Sequence, residues 1–239
     1  MDVKKQYFEL VKAGVERAYE SQLPKIVRVA SLFGECMESG GIVQLFGVGH
    51  GQELVNELNY RAGGIAYYHG LKFRDLILKG LVRQEDIDSG AIYDDLSIAD
   101  RFEEIYELDV RDLYCLVSVK GNEPLVLELA KRAKEGGQVV VGVVNKTSYD
   151  RFGGTLLEYC DEWLDMCAGE PDTVLDVGPL KTGQISSTLA NIIGQMLTAE
   201  VYRYFTDRGK KAPVLLSANV KGADVHNNSL TDPYGRRIR

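Results

Sequence analysis

Residues 42–64, IVQLFGVGHGQELVNELNYRAGG, narrow the folds open to this chain more than any other stretch. A short apolar run (Ile42, Val43, Leu45, Phe46) reads as a buried strand. It meets the glycine-rich turn Gly47-Val48-Gly49-His50-Gly51, and a helical pattern follows with Leu54, Val55, Leu58 and Ala62 on one face. Strand, glycine turn and helix are how α/β folds present backbone N–H groups to an anion at a helix N-terminus. Glycine supplies dihedrals that side chains forbid and lets the backbone approach a ligand closely. The loop is a candidate small-molecule site, most suited to a phosphate.

The stretch does not fit the nucleotide fingerprints. A dinucleotide loop needs G-x-G-x-x-G and an acidic residue about 20 positions on to hold the ribose. Here the third glycine falls one place early, at Gly51, and Gln52 occupies the required spot. The next apolar run, Ile65-Ala66-Tyr67-Tyr68, ends in His69 and Gly70 with no carboxylate. No G-K-[ST] follows, which excludes a P-loop.

A chain of 239 residues suits one large α/β domain, the simpler reading, or two small ones. The net charge of −7 argues against nucleic acid as a partner, and Arg236, Arg237 and Arg239 are too few to reverse it. No apolar stretch approaches the ~18 residues of a membrane span, so no membrane partner is expected. The N-terminus, MDVKKQYFELV, lacks the apolar core of a signal peptide. Cys36, Cys115, Cys160 and Cys167 show no C-x-x-C spacing and read as reduced cytosolic thiols. A cytoplasmic protein with no metal and no organic cofactor is the expectation.

Along the chain, strands and helices alternate. Residues 3–39 show helical spacing (Tyr7, Leu10, Val11, Val15, then Ile26, Val29, Ala30, Phe33), and Pro24 is expected to split or kink this stretch. Gly40-Gly41 stops it. Segment 71–112 is least readable, with helix-like pieces at Leu76 to Leu81 and Ile98 to Leu108 around a turn-rich middle. Strands are expected at Leu113 to Val119, at the β-branched run Val139 to Val144, and around Trp163 to Met166. Helices are expected at Pro124 to Lys134 and from about Ile185 to Phe205. This order predicts a parallel sheet with helices on both faces.

Ligands of open α/β sheets sit at the carboxyl ends of the strands. Three polar loops fall there: 47–51, 118–123 and 181–188. The candidate binding residues are Gly47, Gly49, His50 and Gly51; Ser118, Lys120, Gly121 and Asn122; and Ser186, Ser187 and Thr188. Each loop supplies N–H groups, hydroxyls or a cation, and a phosphate has several oxygens to satisfy. Ser186, Ser187 and Thr188 also read as simple helix caps.

These residues resemble the sugar isomerase (SIS) domain family. Within it the chain is most similar to single-domain proteins with a G-x-G-H loop followed by Y-R-A-G-G, here Gly47-Val48-Gly49-His50 and Tyr60-Arg61-Ala62-Gly63-Gly64. Lys181-Thr182-Gly183 with Ser186 resembles the family's third loop. Ser217-Ala218-Asn219, Asp224, His226-Asn227 and Tyr234-Gly235-Arg236-Arg237-Ile238 resemble its C-terminal signature, and the likeness runs from about residue 24 on. The resemblance implies a three-layer αβα sandwich around a five-stranded parallel sheet. It implies a single SIS domain over 1–239, with a helical segment at about 1–39 and a tail at about 213–239. It implies a sugar-phosphate ligand, and a homodimer or homotetramer with sites near the subunit interface. Members include phosphoheptose and other aldose–ketose isomerases, an etherase acting on N-acetylmuramic acid 6-phosphate, and sugar-sensing regulatory domains.

The second loop departs from the family pattern S-x-S-G-x-[ST]. Here it is Ser118-Val119-Lys120-Gly121-Asn122-Glu123, with a cation for a hydroxyl and a carboxylate at the end. Isomerase or etherase chemistry needs a base, and often an acid. Glu57 is the candidate base; its spacing from Arg61 equally fits an i,i+4 ion pair. His226, with Asp224 and Asn227 beside it, is the candidate imidazole, and His50 sits in the ligand loop. For His69 the sequence shows no partner. Two readings stand: a phosphosugar isomerase or lyase using Glu57, Asp224 and His226, and a non-catalytic sugar-phosphate sensor.

Overall fold

The chain is described by a computed structural model over residues 2–238; Met1 of the expected N-terminal segment and Arg239 of the expected tail lie outside the described residues. Five parallel strands form its centre: β1 (Val43–Gly47), β2 (Tyr68–Gly70), β3 (Leu113–Ser118), β4 (Val139–Val144) and β5 (Glu162–Asp165), in the spatial order β2-β1-β3-β4-β5. Gly47 lies opposite Val117, Ser118 opposite Val144, and Val144 opposite Asp165. β1, β3, β4 and β5 therefore stop together on a common carboxyl rim, and β2 ends two residues earlier, at Gly70 opposite Leu45.

Side chains alternate along each strand with period two. Val43, Leu45, Cys115, Val117, Val141 and Val143 face one layer of helices. That layer comprises α1 (Val3–Glu38), α2 (Gly51–Leu58) and α8 (Ser186–Thr206). Phe46, Tyr114, Leu116, Val140 and Val144 face the other, built from α3 (Phe73–Leu78), α5 (Ile98–Ile105) and α6 (Pro124–Glu135). This is the expected αβα sandwich. Further elements include α4 (Gln84–Asp88), α7 (Lys146–Phe152), α9 (Ala223–Thr231) and an antiparallel hairpin of β6 (Thr173–Asp176) with β7 (Lys181–Gln184). Among the described residues no helix is long and apolar enough to cross a membrane.

Several expectations need correction. Pro24 does not divide the N-terminal stretch: α1 is one helix of 36 residues, about 54 Å long. A proline removes one helical hydrogen bond, but Ala18, Gln22, Ile26, Val29, Ala30 and Phe33 bury a stripe on both sides of it, and that packing outweighs the loss. The second strand is Tyr68–Gly70, whereas Ile65 makes an antiparallel bridge to Val214. Lys181 to Gln184 is a strand of the exposed hairpin, not a loop. The tail is folded too, as α9 followed by a 3-10 turn (Asp232–Arg237).

The tail closes the opposite, amino rim of the sheet. Arg237 donates from Nη2 to Asp112 Oδ1 at 2.5 Å and from Nη1 to the Gly40 carbonyl at 3.1 Å. Asp112 precedes β3 and is buried; its carboxylate also accepts the N–H groups of Ile42 and Asp109. Gln44 breaks the apolar run of β1, and its amide donates to Asp112 Oδ2 at 2.9 Å. Its carbonyl oxygen meets Nδ1 of His69 at 2.7 Å. His69 thus has the partner that the sequence did not reveal.

Burial lowers the pKa of His69 from 6.5 to about 4, which makes stability depend on pH. Between these values the unfolded chain binds a proton on this ring and the folded chain does not, so stability rises with pH there. The contribution is complete above about pH 6.5 and is lost on acidification toward pH 4. It amounts to about 3 kcal/mol, at about 1.36 kcal/mol per pKa unit. Urea midpoints measured between pH 7.5 and 4.5 should fall with acidification, and His69→Asn should flatten that limb relative to the parent.

Candidate functional site

The carboxyl rim is organised by the loop that ends β1. A Cβ on Gly51 would lie 2.5 Å from the Val117 carbonyl oxygen, so only glycine lets the loop rest on the end of β3. Gly49 has φ +53° and faces open space, which leaves its backbone accessible to a ligand. His50 follows in the right-handed region (φ −64°, ψ −22°). A left-handed residue followed by a right-handed one turns successive N–H groups toward one concavity, a known anion cradle. The Gly51 N–H closes on the Val48 carbonyl at 2.9 Å, whereas those of Gly49 and His50 find no acceptor among the described residues.

The second loop is satisfied from within. Ser118 is buried at the end of β3; its hydroxyl accepts the Gly121 N–H at 2.6 Å and donates to the Glu123 carboxylate. The Glu123 carboxylate therefore holds the hydroxyl that would otherwise meet an anion. Lys120 is exposed, with Nζ 4.8 Å from the centre of the Phe152 ring, and Asn122 donates to the Phe152 carbonyl.

The third loop is occupied in the same way. Asp172 accepts the N–H groups of Ile185 (3.3 Å) and Ser186 (2.7 Å) at the start of α8, and the Ser186 hydroxyl at 2.8 Å. Ser186 is thus tied to a distant carboxylate and does not cap its own helix. The Ser187 hydroxyl accepts from Gln184 at 2.9 Å, and Thr188 lies 3.4 Å from the Tyr7 hydroxyl. Asp172 also faces the first loop, its Oδ2 3.4 Å from His50 Nδ1. The glycine loop and the start of α8 therefore meet at Asp172, while the glycine loop rests against β3 just before Ser118.

The other candidates lie apart from this cluster. Glu57 is six residues beyond Gly51, about 9 Å along α2. Its carboxylate is engaged by Arg61 at 2.6 Å and by Gln195 at 2.9 Å. Asp224 and His226 belong to α9, where the His226 Nε2 lies 2.8 Å from the Val214 carbonyl and Asn227 brackets the backbone of Leu216.

Sequence reasoning missed two residues. Asp172 lies in an irregular segment whose only signal is an acidic residue shortly after the fifth strand. Asn145 ends the run VVVGVVN at the carboxyl end of β4, a polar residue closing a buried parallel strand. Its amide nitrogen donates to Ser148 and to the Gly169 carbonyl, and its buried Oδ1 has no partner among the described residues.

A family model for the SIS domain matches residues 6–145. A UPF0309 protein of Caldanaerobacter subterraneus subsp. tengcongensis is 31% identical across 98% of this chain and 98% of its own length. The NanR protein of Vibrio vulnificus, solved in complex with ManNAc-6P, superimposes with a TM-score of 0.56 at 16% identity, over 97% of this chain and 69% of that one. A phosphoheptose isomerase from Francisella tularensis gives 0.55 at 16% identity, over 85% and 99%. Likeness at such identity establishes the fold.

Asp172 satisfies the start of α8 as a capping side chain would. Removing such a group costs about 1–2 kcal/mol. Asp172→Ala should lower the urea stability by that amount, and Asp172→Asn, which keeps one acceptor oxygen, by clearly less. Equal losses would show that the charge, and not the capping geometry, supplies the stabilisation.

Proposed function

This chain belongs to the SIS domain family, and on that footing we propose that its carboxyl rim binds a sugar phosphate or related carbohydrate derivative and acts on it as an aldose–ketose isomerase or lyase. The observation that carries this reading is the pair of unpaired N–H groups at Gly49 and His50, beside an imidazole that faces a carboxylate. A phosphate oxygen accepts those two N–H groups, and Lys120 supplies the cation on the neighbouring loop. Isomerisation moves a proton between adjacent carbons, and histidine is the side chain suited to that near neutral pH. With Nδ1 toward Asp172, the His50 Nε2 is the atom that takes and returns the proton. Glu57, Asp224 and His226, the other candidates, serve in this reading to hold α2 and the tail in place.

A sensor without chemistry is the second reading. It is favoured by the hydroxyls of Ser118 and Ser186, which Glu123 and Asp172 already occupy. Melting measurements with sugar phosphates and their dephosphorylated counterparts separate the readings. A ligand at 100 times its Kd stabilises the fold by about 2.7 kcal/mol, or roughly 5–10 °C for a chain of this size. Lys120→Ala should shrink the shift given by phosphorylated sugars far more than that given by the free sugars. His50→Asn should preserve the shift and lower turnover by about 10²–10⁴-fold. A shift without any turnover selects the sensor; no shift with any sugar phosphate refutes both.

The same reading includes a closed homodimer or homotetramer. Phe8 and Tyr19 are 62% and 59% exposed and lie three turns apart on one face of α1, an aromatic surface suited to a second copy. Light scattering at micromolar concentration should give a dimer or tetramer, and a monomer would reject this.

A further inference from the structure

A roomy cleft lies away from the glycine loop. About 910 Å³ opens beside β2, between the end of α2, the segment around α3, the end of α5 and the C-terminal turn. Lys72, Arg74, Lys79 and Arg236 line it, against only Asp75 and Glu104. That is a cationic hollow in a chain of net charge −7. Arg74 pairs with Asp75, and Arg236 with Glu107 outside the cavity. Lys72 and Lys79 are left without a salt bridge among the described residues.

The inner wall carries His69, which is only 5% exposed. Its protonation pattern follows from the polar string behind it. The Asp112 carboxylate only accepts, so the Gln44 amide must turn its NH₂ toward it and its carbonyl toward His69. A carbonyl only accepts as well, so the proton of the ring sits on Nδ1. The Nε2 atom is then a bare acceptor, and it has no partner among the described residues. The Tyr106 ring stands edge-on against the imidazole at 4.6 Å and fixes its plane, while the Tyr106 hydroxyl is spent on Asp75. The tail signature completes the arrangement: Arg237 neutralises Asp112, and Arg236 and Ile238 form part of the wall.

We propose that this cavity is a second small-molecule site, distinct from the carboxyl rim, for a metabolite that carries an oxyanion (phosphate or carboxylate) and, a few atoms away, a hydroxyl or amine donor. The oxyanion is held by Lys72 and Lys79, and the donor hydrogen-bonds to Nε2 of His69. The volume is in the range of small-ligand pockets. Burial, which keeps the imidazole neutral down to about pH 4, preserves the acceptor across the physiological range.

The test uses gluconate, glycerol 3-phosphate and adenosine monophosphate as probes on the intact chain, read by calorimetry and by the ¹⁵N resonance of His69 Nε2. The first two differ in their oxyanion and separate carboxylate from phosphate as the preferred group. At least one probe should saturate, and saturation should move the Nε2 resonance. Lys72→Met with Lys79→Met, both lining the cavity, should weaken that binding about tenfold or more. Lys120→Ala, on the glycine-loop side, should leave it within about twofold. The proposal is overturned if no probe saturates below about 1 mM, a Kd worth only some 4 kcal/mol. It is also overturned if Nε2 does not respond, or if the loss follows Lys120 and not Lys72 and Lys79. Because the two sites are separated by different lysines, failure here is distinguishable from failure of the sugar-phosphate reading.

Discussion

Strands buried on both faces leave a parallel sheet only two places for chemistry. Every residue of β1 and β3 is buried, so neither face of the central strands meets solvent. Each crossover must then run back over a helix, and the helices enter near the carboxyl rim and leave near the amino rim. Their N-terminal partial positive charges collect at one end and their negative ends at the other. The charges on the two rims follow this order. Glu123 and Asp172 sit at the starts of α6 and α8, while Arg236 and Arg237 close the opposite end.

This arrangement limits what the carboxyl rim has left to give. The N–H groups of Ile185 and Ser186 at the start of α8, and the hydroxyl of Ser118, are held by the protein's own carboxylates. An incoming phosphate is repelled by both, and the N–H groups of Gly49 and His50 have no acceptor among the described residues. The altered second loop thus has a clear physical consequence. In the proposed reading the anion sits against the first loop, and Lys120, not a ring of hydroxyls, supplies its counter-charge.

Much of this was legible in the sequence. The strand–turn–helix at Gly47 to Gly51, the β-branched run Val139 to Val144 and the alternation of elements led to the right sheet, because each is a local pattern with a local cause. The hairpin Thr173–Gln184 escaped notice since its strands are four residues each and only Leu175 is buried, leaving no periodicity to read. The expected split at Pro24 does not occur, because tertiary packing along α1 overrides local propensity. At the candidate site, the glycines and His50 were visible, but Asp172 was not. Its partners are Ile185 and Ser186, across an irregular segment and a short hairpin, and His50, more than a hundred residues away, and nothing in the local pattern announces these contacts. Gln44 interrupts the apolar run of β1, and that interruption marks the polar string through His69 and Asp112.

The link between Arg237 and Asp112 spans 125 positions, and it sets an order of events. During synthesis the N-terminal part of a chain emerges first, at roughly 5–20 residues per second. β1, β2 and β3 are all available for pairing long before Arg237 leaves the ribosome. Until then the Asp112 carboxylate has its backbone and amide partners but no cation, and a buried charge without its counter-ion is costly. The sheet can assemble early, yet its amino rim is electrostatically complete only when the turn carrying Arg237 docks, so that turn acts as a latch on the rim.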